Sequence, residues 1–158
     1  WKVKVNTDKS EAICFTKNPA YPVQREMLHV QEGVLRWTKT IKYLGVVLNR
    51  TLTTGRAAKG RLRLGMAARQ GLSALLRPHS GLSTNTKLLL YKTIVRPVVT
   101  YAAPGWYPNT SKSTRKALEA FQNRTVRQLT NTPWFVRNMV VLQSAGLPTL
   151  REFVTDQT

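Results

Sequence analysis

The spacing of apolar residues changes near residue 50, and that change restricts the chain to strands first and helices second. Up to about residue 48 the pattern suits strands. Val3 and Val5 alternate with Lys2 and Lys4, and Ala12 to Thr16 form a short apolar run after the turn-forming residues Asn6-Thr7-Asp8. Pro19, Tyr21 and Pro22 mark an irregular connection. Val34 to Trp37 and Ile41 to Leu48 are rich in β-branched and aromatic residues and predict two further strands, with Thr38 to Thr40 as a tight link between them. Strands followed by a run of helices predict an α+β fold.

Residues 55 to 155 read as helical. A first helix is expected from about Arg56 to Leu76. Ala57, Leu64, Gly65, Ala68, Leu72, Leu75 and Leu76 fall on one apolar arc, with Arg56, Lys59, Arg63 and Arg77 together on the other side. Arg61 intrudes on the apolar arc, and Pro78 ends the helix. A second helix begins at Ser83, a good N-cap. Leu88, Leu89, Leu90, Tyr91, Ile94, Val95, Val98 and Val99 make it apolar on most sides, which predicts the buried centre of the helical half. Pro97 should kink or interrupt it and Pro104-Gly105 should stop it. A third helix starts near Ser111 or Ser113. Its stripe is Leu118, Phe121, Thr125 and Leu129 with Val126 beside them, and Arg115, Lys116, Arg124 and Arg127 lie off it. Asn131-Thr132-Pro133 breaks this helix. A short helix from about Asn138 to Ala145 ends at Gly146, and Pro148-Thr149 open a last one.

Charge narrows the function. Lys and Arg number 25 against 7 Asp and Glu, a net charge of +18. No acidic residue occurs between Glu32 and Glu119, so no ion pair can form within that interval. Phosphates are the obvious counter-charge, and binding to them should weaken steeply with salt. No run of 18 apolar residues and no signal peptide points to a membrane. The first residue is Trp1 rather than Met, inside a strand-like pattern, which reads as a piece of a longer protein. The lone Cys14 excludes an intramolecular disulfide and the usual cysteine zinc site, and suits a plain strand position. His29 and His79 lack metal-ligand spacing. Nucleotidyl transfer needs carboxylates that hold two metal ions close together. Asp8 and Asp156 sit near opposite ends, neither beside another carboxylate, so no metal site and no catalysis are expected of this chain alone.

Three segments carry a resemblance. The first runs Trp1-Lys2-Val3-Lys4-Val5-Asn6 through Lys9 to Ala12-Ile13-Cys14-Phe15-Thr16. The second is Ile41-Lys42-Tyr43-Leu44-Gly45-Val46. The third begins at Leu90-Tyr91 and continues through Arg96-Pro97 and Tyr101-Ala102-Ala103-Pro104-Gly105-Trp106. It then takes in Phe121-Gln122-Asn123-Arg124, Arg127 and Pro133-Trp134-Phe135-Val136-Arg137-Asn138. In order and spacing they resemble polymerase motif D, motif E and the thumb of non-LTR (LINE-type) retrotransposon reverse transcriptases, especially the jockey-like elements of arthropods. The resemblance implies short antiparallel strands of the C-terminal palm edge over 1–50 and an α-helical thumb over 51–158. The paired aspartates, the fingers and the rest of the palm would belong to the parent polyprotein, and Mg2+ is implied only for that intact polymerase.

The resemblance also assigns roles. Lys9 matches the motif D lysine, which would protonate or neutralise departing pyrophosphate; a solvated turn lysine is the plainer reading. Lys42, Tyr43, Leu44 and Gly45 match the primer grip, where a tight hairpin lets backbone approach a primer strand closely and Gly45 removes a side chain that would obstruct it; a core strand with Leu44 and Val46 buried is compatible with it. Arg56, Lys59 and Arg63 share one helical face and suit contact with the phosphates of an RNA template and DNA primer paired as a hybrid, a solvated charged face being the plainer reading; Arg124, Arg127 and Arg137 are further candidates of the same kind. Trp37, Tyr101, Trp106, Tyr107, Trp134 and Phe135 suit core packing better than base stacking. The parent would copy RNA in the nucleus from a nicked chromosomal end, after assembly in the cytoplasm. Where the family often carries a His, the stretch Leu52 to Ala58 has none, which bears on activity more than on ancestry. A stand-alone basic RNA- or DNA-binding module derived from such an element is the alternative, and a basic ribosome-associated protein is a more distant one.

Overall fold

In the computed structural model, which describes residues 5–18, 20, 26–30 and 33–157, the chain divides into units 1–57 and 58–158. The first unit holds the strands. β1 (Glu11–Ala12), β2 (Leu28–Val30) and β3 (Gly33–Trp37) form a sheet with β3 at its centre. β2 pairs with β3 antiparallel, and β1 pairs with it in parallel. Thr7–Lys9 forms a 3-10 turn, and Asn6 caps it by accepting the Lys9 N–H at 3.1 Å. That turn lies against Gly33, where a Cβ would come within 2.5 Å of the Thr7 side chain. The run Ala12–Thr16 pairs only at its start. Thr16 N–H instead reaches Arg50 O at 2.9 Å, and Cys14 is half-buried outside any strand. Trp1 to Lys4, Pro19, Tyr21 and Pro22 lie outside the described residues.

Within the strand-like stretch Ile41 to Leu48 the chain turns back on itself, as a tight hairpin at the primer-grip-like residues requires. β4 (Thr40–Tyr43) and β5 (Val46–Asn49) pair antiparallel, with Tyr43 opposite Val46. Leu44 and Gly45 form its tip with φ of 46° and 76°. Two positive values are what a two-residue turn needs to match the twist of its strands. Gly45 adopts this freely, whereas it costs Leu44 roughly 1–2 kcal/mol. Leu44 is consequently exposed at the tip rather than buried in a core strand.

Helix α1 (Gly55–Gly71) leads into the helical unit and stops short of the expected Leu76. After Leu72, α2 (Ser73–Leu76) forms a separate turn. Ala58, Gly65 and Leu76 are buried, but Leu64 and Leu75 of the expected arc are exposed. The small residues decide this: a Cβ on Gly65 would overlap Val99 Cγ2 and touch Phe121 at 3.5 Å. Gly60 has open space at the same position. Gly60→Ala should therefore raise stability by about 0.5–1 kcal/mol through helix propensity. Gly65→Ala should lower it by about 1–3 kcal/mol through overpacking, with urea midpoints moving in opposite directions.

The next helical stretch is continuous. α3 (Thr84–Leu90) passes through a π-helical turn, Tyr91–Val95, into α4 (Arg96–Thr100). Ser83 caps it, its Oγ accepting the Thr86 N–H at 3.1 Å. Pro97 lacks a donor and crowds the carbonyl four residues back. The wider turn accommodates both effects, and Arg96 N–H reaches back five residues to Tyr91 O. Only one face is buried, through Leu88, Tyr91, Val95 and Val99; Leu89 and Ile94 are exposed, so this stretch is not buried all round. It ends at Tyr101, with Ala102 at φ 52°. Pro104-Gly105 lie within the following turn, α5 (Ala103–Trp106), because a proline is tolerated at the start of a helix.

α6 (Lys112–Leu129) is capped by Ser111 and buries Leu118, Phe121, Thr125, Val126 and Leu129 as expected. Gln122 joins them at 0 % exposure. Its Oε1 accepts the Tyr91 hydroxyl at 2.9 Å and its Nε2 donates to Pro148 O at 2.9 Å. Burial raises the Tyr91 phenol well above the ordinary tyrosine value. α7 (Asn138–Ser144) closes on Gly146, at φ 59°, with Leu147 N–H returning to Leu142 O at 2.9 Å. α8 (Leu150–Thr155) opens with a reciprocal Thr149–Glu152 capping box.

Candidate nucleic-acid interface

With few carboxylates in reach, each buried cation needs a neutral partner. The helical unit supplies rings and carbonyl oxygens. Arg61 lies 4.3 Å over the Tyr101 ring, Arg96 4.0 Å over Phe153 and Arg115 5.3 Å from the centre of Tyr107. Arg61 thus enters the apolar arc as a stacked plate. Lys87 is buried and donates to Pro78 O at 3.0 Å. Arg69 donates to Gln128 Oε1. Arg127 donates to Pro133 O, to Val136 O at 2.7 Å and to Asn138 Oδ1 at 2.7 Å, so its guanidinium organises the loop between α6 and α7.

Other cations face outward. Arg56, Lys59 and Arg63 are exposed along one face of α1, spaced so that their side chains follow one another up the helix. Arg124 is exposed on α6, and Arg137 is exposed immediately before α7. In the strand unit Lys42, Tyr43, Leu44 and Gly45 are exposed at the β4–β5 tip, and Lys9 is exposed on its 3-10 turn. Among the described residues no group of three or more His, Cys, Asp or Glu could hold a metal ion. These described residues therefore do not fit a Mg2+ site, and none of them builds a metal centre beside Lys9.

Two basic concavities bring together residues that sequence reasoning did not group. In the strand unit, Lys39, Arg50 and Arg56 line a hollow of about 260 Å3 with Thr40, Asn49 and Thr51. In the helical unit, Lys112, Arg115, Lys116 and Arg151 line a groove of about 560 Å3 with Tyr107, Asn123 and Asn138. Glu119 also lines the groove, but it accepts the Leu150 and Arg151 N–H groups at 3.3 and 2.9 Å, engaged with the positive end of α8. The three- and four-residue spacing of Lys112, Arg115 and Lys116 signals a basic helix face. Only the fold adds Arg151.

The aromatics divide. Trp106 and Tyr107 are buried, and the Trp106 indole donates to Tyr101 O at 2.9 Å. Trp37 donates to Glu26 O at 2.8 Å. Trp134 and Phe135 do not pack a core: they are 87 % and 70 % exposed. No helix among the described residues is long and apolar enough to cross a membrane.

No protein-family model matches the chain, and no solved structure matches it significantly. Curated proteins of Drosophila melanogaster do. The probable RNA-directed DNA polymerase from transposon X-element is 32 % identical over 95 % of this chain and 16 % of its own length. The corresponding protein from transposon BS is 29 % identical over 100 % of this chain and 17 % of its own. The RNA-directed DNA polymerase from mobile element jockey is 25 % identical over 95 % and 16 %. The chain thus spans about a sixth of the length of these relatives.

Proposed function

From the homology of this chain to a segment of the RNA-directed DNA polymerases of non-LTR retrotransposons, we propose that it grips the RNA template–DNA primer duplex in such an enzyme. The observation that carries this reading is the row of exposed cations Arg56, Lys59 and Arg63 on α1, inside an interval without acidic residues. Phosphate contacts of this kind position a duplex without reading its sequence. Arg124 and Arg137 are further exposed cations of the helical unit, while Arg127 acts through the loop it organises. The β4–β5 tip, with Gly45 leaving backbone unobstructed, would hold the primer strand, and Lys9 would meet departing pyrophosphate. The remaining palm and fingers of the parent would supply the carboxylates and Mg2+. Access to a nicked chromosome would place the parent in the nucleus.

Equilibrium binding of the chain to an RNA–DNA hybrid and to single-stranded RNA of equal length tests the reading. The hybrid should bind more tightly, with a steeper salt dependence, because the duplex carries the denser phosphate charge. Equal or weaker binding of the hybrid would sink the proposal.

A further inference from the structure

The loop between α6 and α7 presents two large aromatic side chains to solvent. Trp134 and Phe135 form an edge-to-face pair, with ring centres 6.1 Å apart and planes at 82°. Aromatic rings at this exposure lose the stabilisation that burial would give them. The loop is nonetheless held in place. Arg127 donates to Pro133 O, Val136 O and Asn138 Oδ1, acceptors on both sides of the two rings. Pro133 restricts the entry and Val136 N–H returns to Pro133 O at 3.3 Å. The rings are therefore displayed by a fixed turn.

The surroundings select the occupant. The sequence has no acidic residue between Glu119 and Glu152. Exposed Arg137 directly follows the loop, and exposed Arg124 lies one turn before Arg127 on α6. Open ring faces near cations in a stretch without acidic residues suit a polyanion that carries flat apolar groups. Unpaired nucleic acid meets that description: its phosphates match the arginines and its unstacked bases match the rings. A duplex hides its base faces and does not.

The geometry points to Trp134 and Phe135 as a stacking platform for the bases of an unpaired nucleic-acid strand. This site is separate from the duplex contacts proposed for α1 and can stand or fall without them.

The test measures binding of fluorescently labelled oligo(rU) and oligo(dT) 12-mers and of a blunt 12-base-pair RNA–DNA hybrid to the whole chain. The variant Trp134→Ala/Phe135→Ala should weaken both single strands at least tenfold and change hybrid affinity less than twofold. The conservative Trp134→Phe should restore much of the loss, since any flat ring stacks. In the unaltered chain, adding either 12-mer should quench tryptophan emission, and Trp134→Phe should remove most of that quenching. Unequal effects on the two 12-mers would show which sugar the platform prefers and would still support it. Unchanged single-strand affinity in the double alanine variant would overturn the platform. So would a Trp134-dependent emission shift that follows protein concentration without nucleic acid, because the rings would then bury against a second copy. Loss of hybrid binding by the unaltered chain, with Trp134-dependent single-strand binding retained, would defeat the duplex reading and leave this one intact.

Discussion

Gln122→Leu should destabilise the helical unit by roughly 2–6 kcal/mol, although it puts an apolar side chain into an apolar place. The amide joins two groups that have no local relation to it: the Tyr91 hydroxyl and the Pro148 carbonyl, each at 2.9 Å. Leucine leaves both without that partner, and an unsatisfied buried polar group costs about 1–3 kcal/mol. Adding Tyr91→Phe to Gln122→Leu should recover roughly the hydroxyl's share, so the two substitutions are expected to be strongly non-additive. Urea unfolding followed by circular dichroism gives all four corners of the cycle. Simple additivity would show that the amide and the phenol do not form one unit.

The largest effect on binding should come from Arg56→Glu, Lys59→Glu and Arg63→Glu combined. Each phosphate contact adds about 0.9 to the slope of log affinity against log salt, which is roughly eightfold per contact between 1 M and 0.1 M salt. Losing three contacts should cut affinity for an RNA–DNA hybrid roughly 500-fold at about 0.1 M salt, and the repulsion of the new carboxylates adds to that. The slope itself should fall by about three. Thermal unfolding should change little, since all three side chains are exposed. A slope that stays the same would show that this face of α1 does not touch phosphate.

The helices were legible where local chemistry fixes them. Ser83, Ser111, Gly146 and Thr149 mark helix ends by capping, and the stripe from Leu118 to Leu129 lies on a strongly one-sided helix. The β4–β5 hairpin followed from the motif resemblance and not from local turn chemistry, because its tip places Leu44 where a turn signal would be Asn, Asp or Gly. Leu28–Val30 is too short a strand to show a period. The division of the arginines was hidden for another reason. The partner of Arg61 is Tyr101 and that of Arg96 is Phe153, rings brought near only by packing. Charge alone does not separate cations that face inward from those free to meet phosphate. The burial of Lys87 and the loop contacts of Arg127 show that several already have work inside the fold. Trp134 and Phe135 were misread in the opposite direction, since a bulky aromatic at a helix end is ordinarily covered.

The neutral partners of these inward cations have a consequence for how the molecule responds to its medium. A carbonyl oxygen or a ring face holds a guanidinium in place without cancelling its charge. The interior contacts therefore offer dissolved ions little to screen, while mutual repulsion across a chain of net charge +18 weakens as ions are added. The same ions compete for every phosphate the surface could hold. Folding and binding then answer salt with opposite signs: the protein becomes firmer under the conditions in which it lets go.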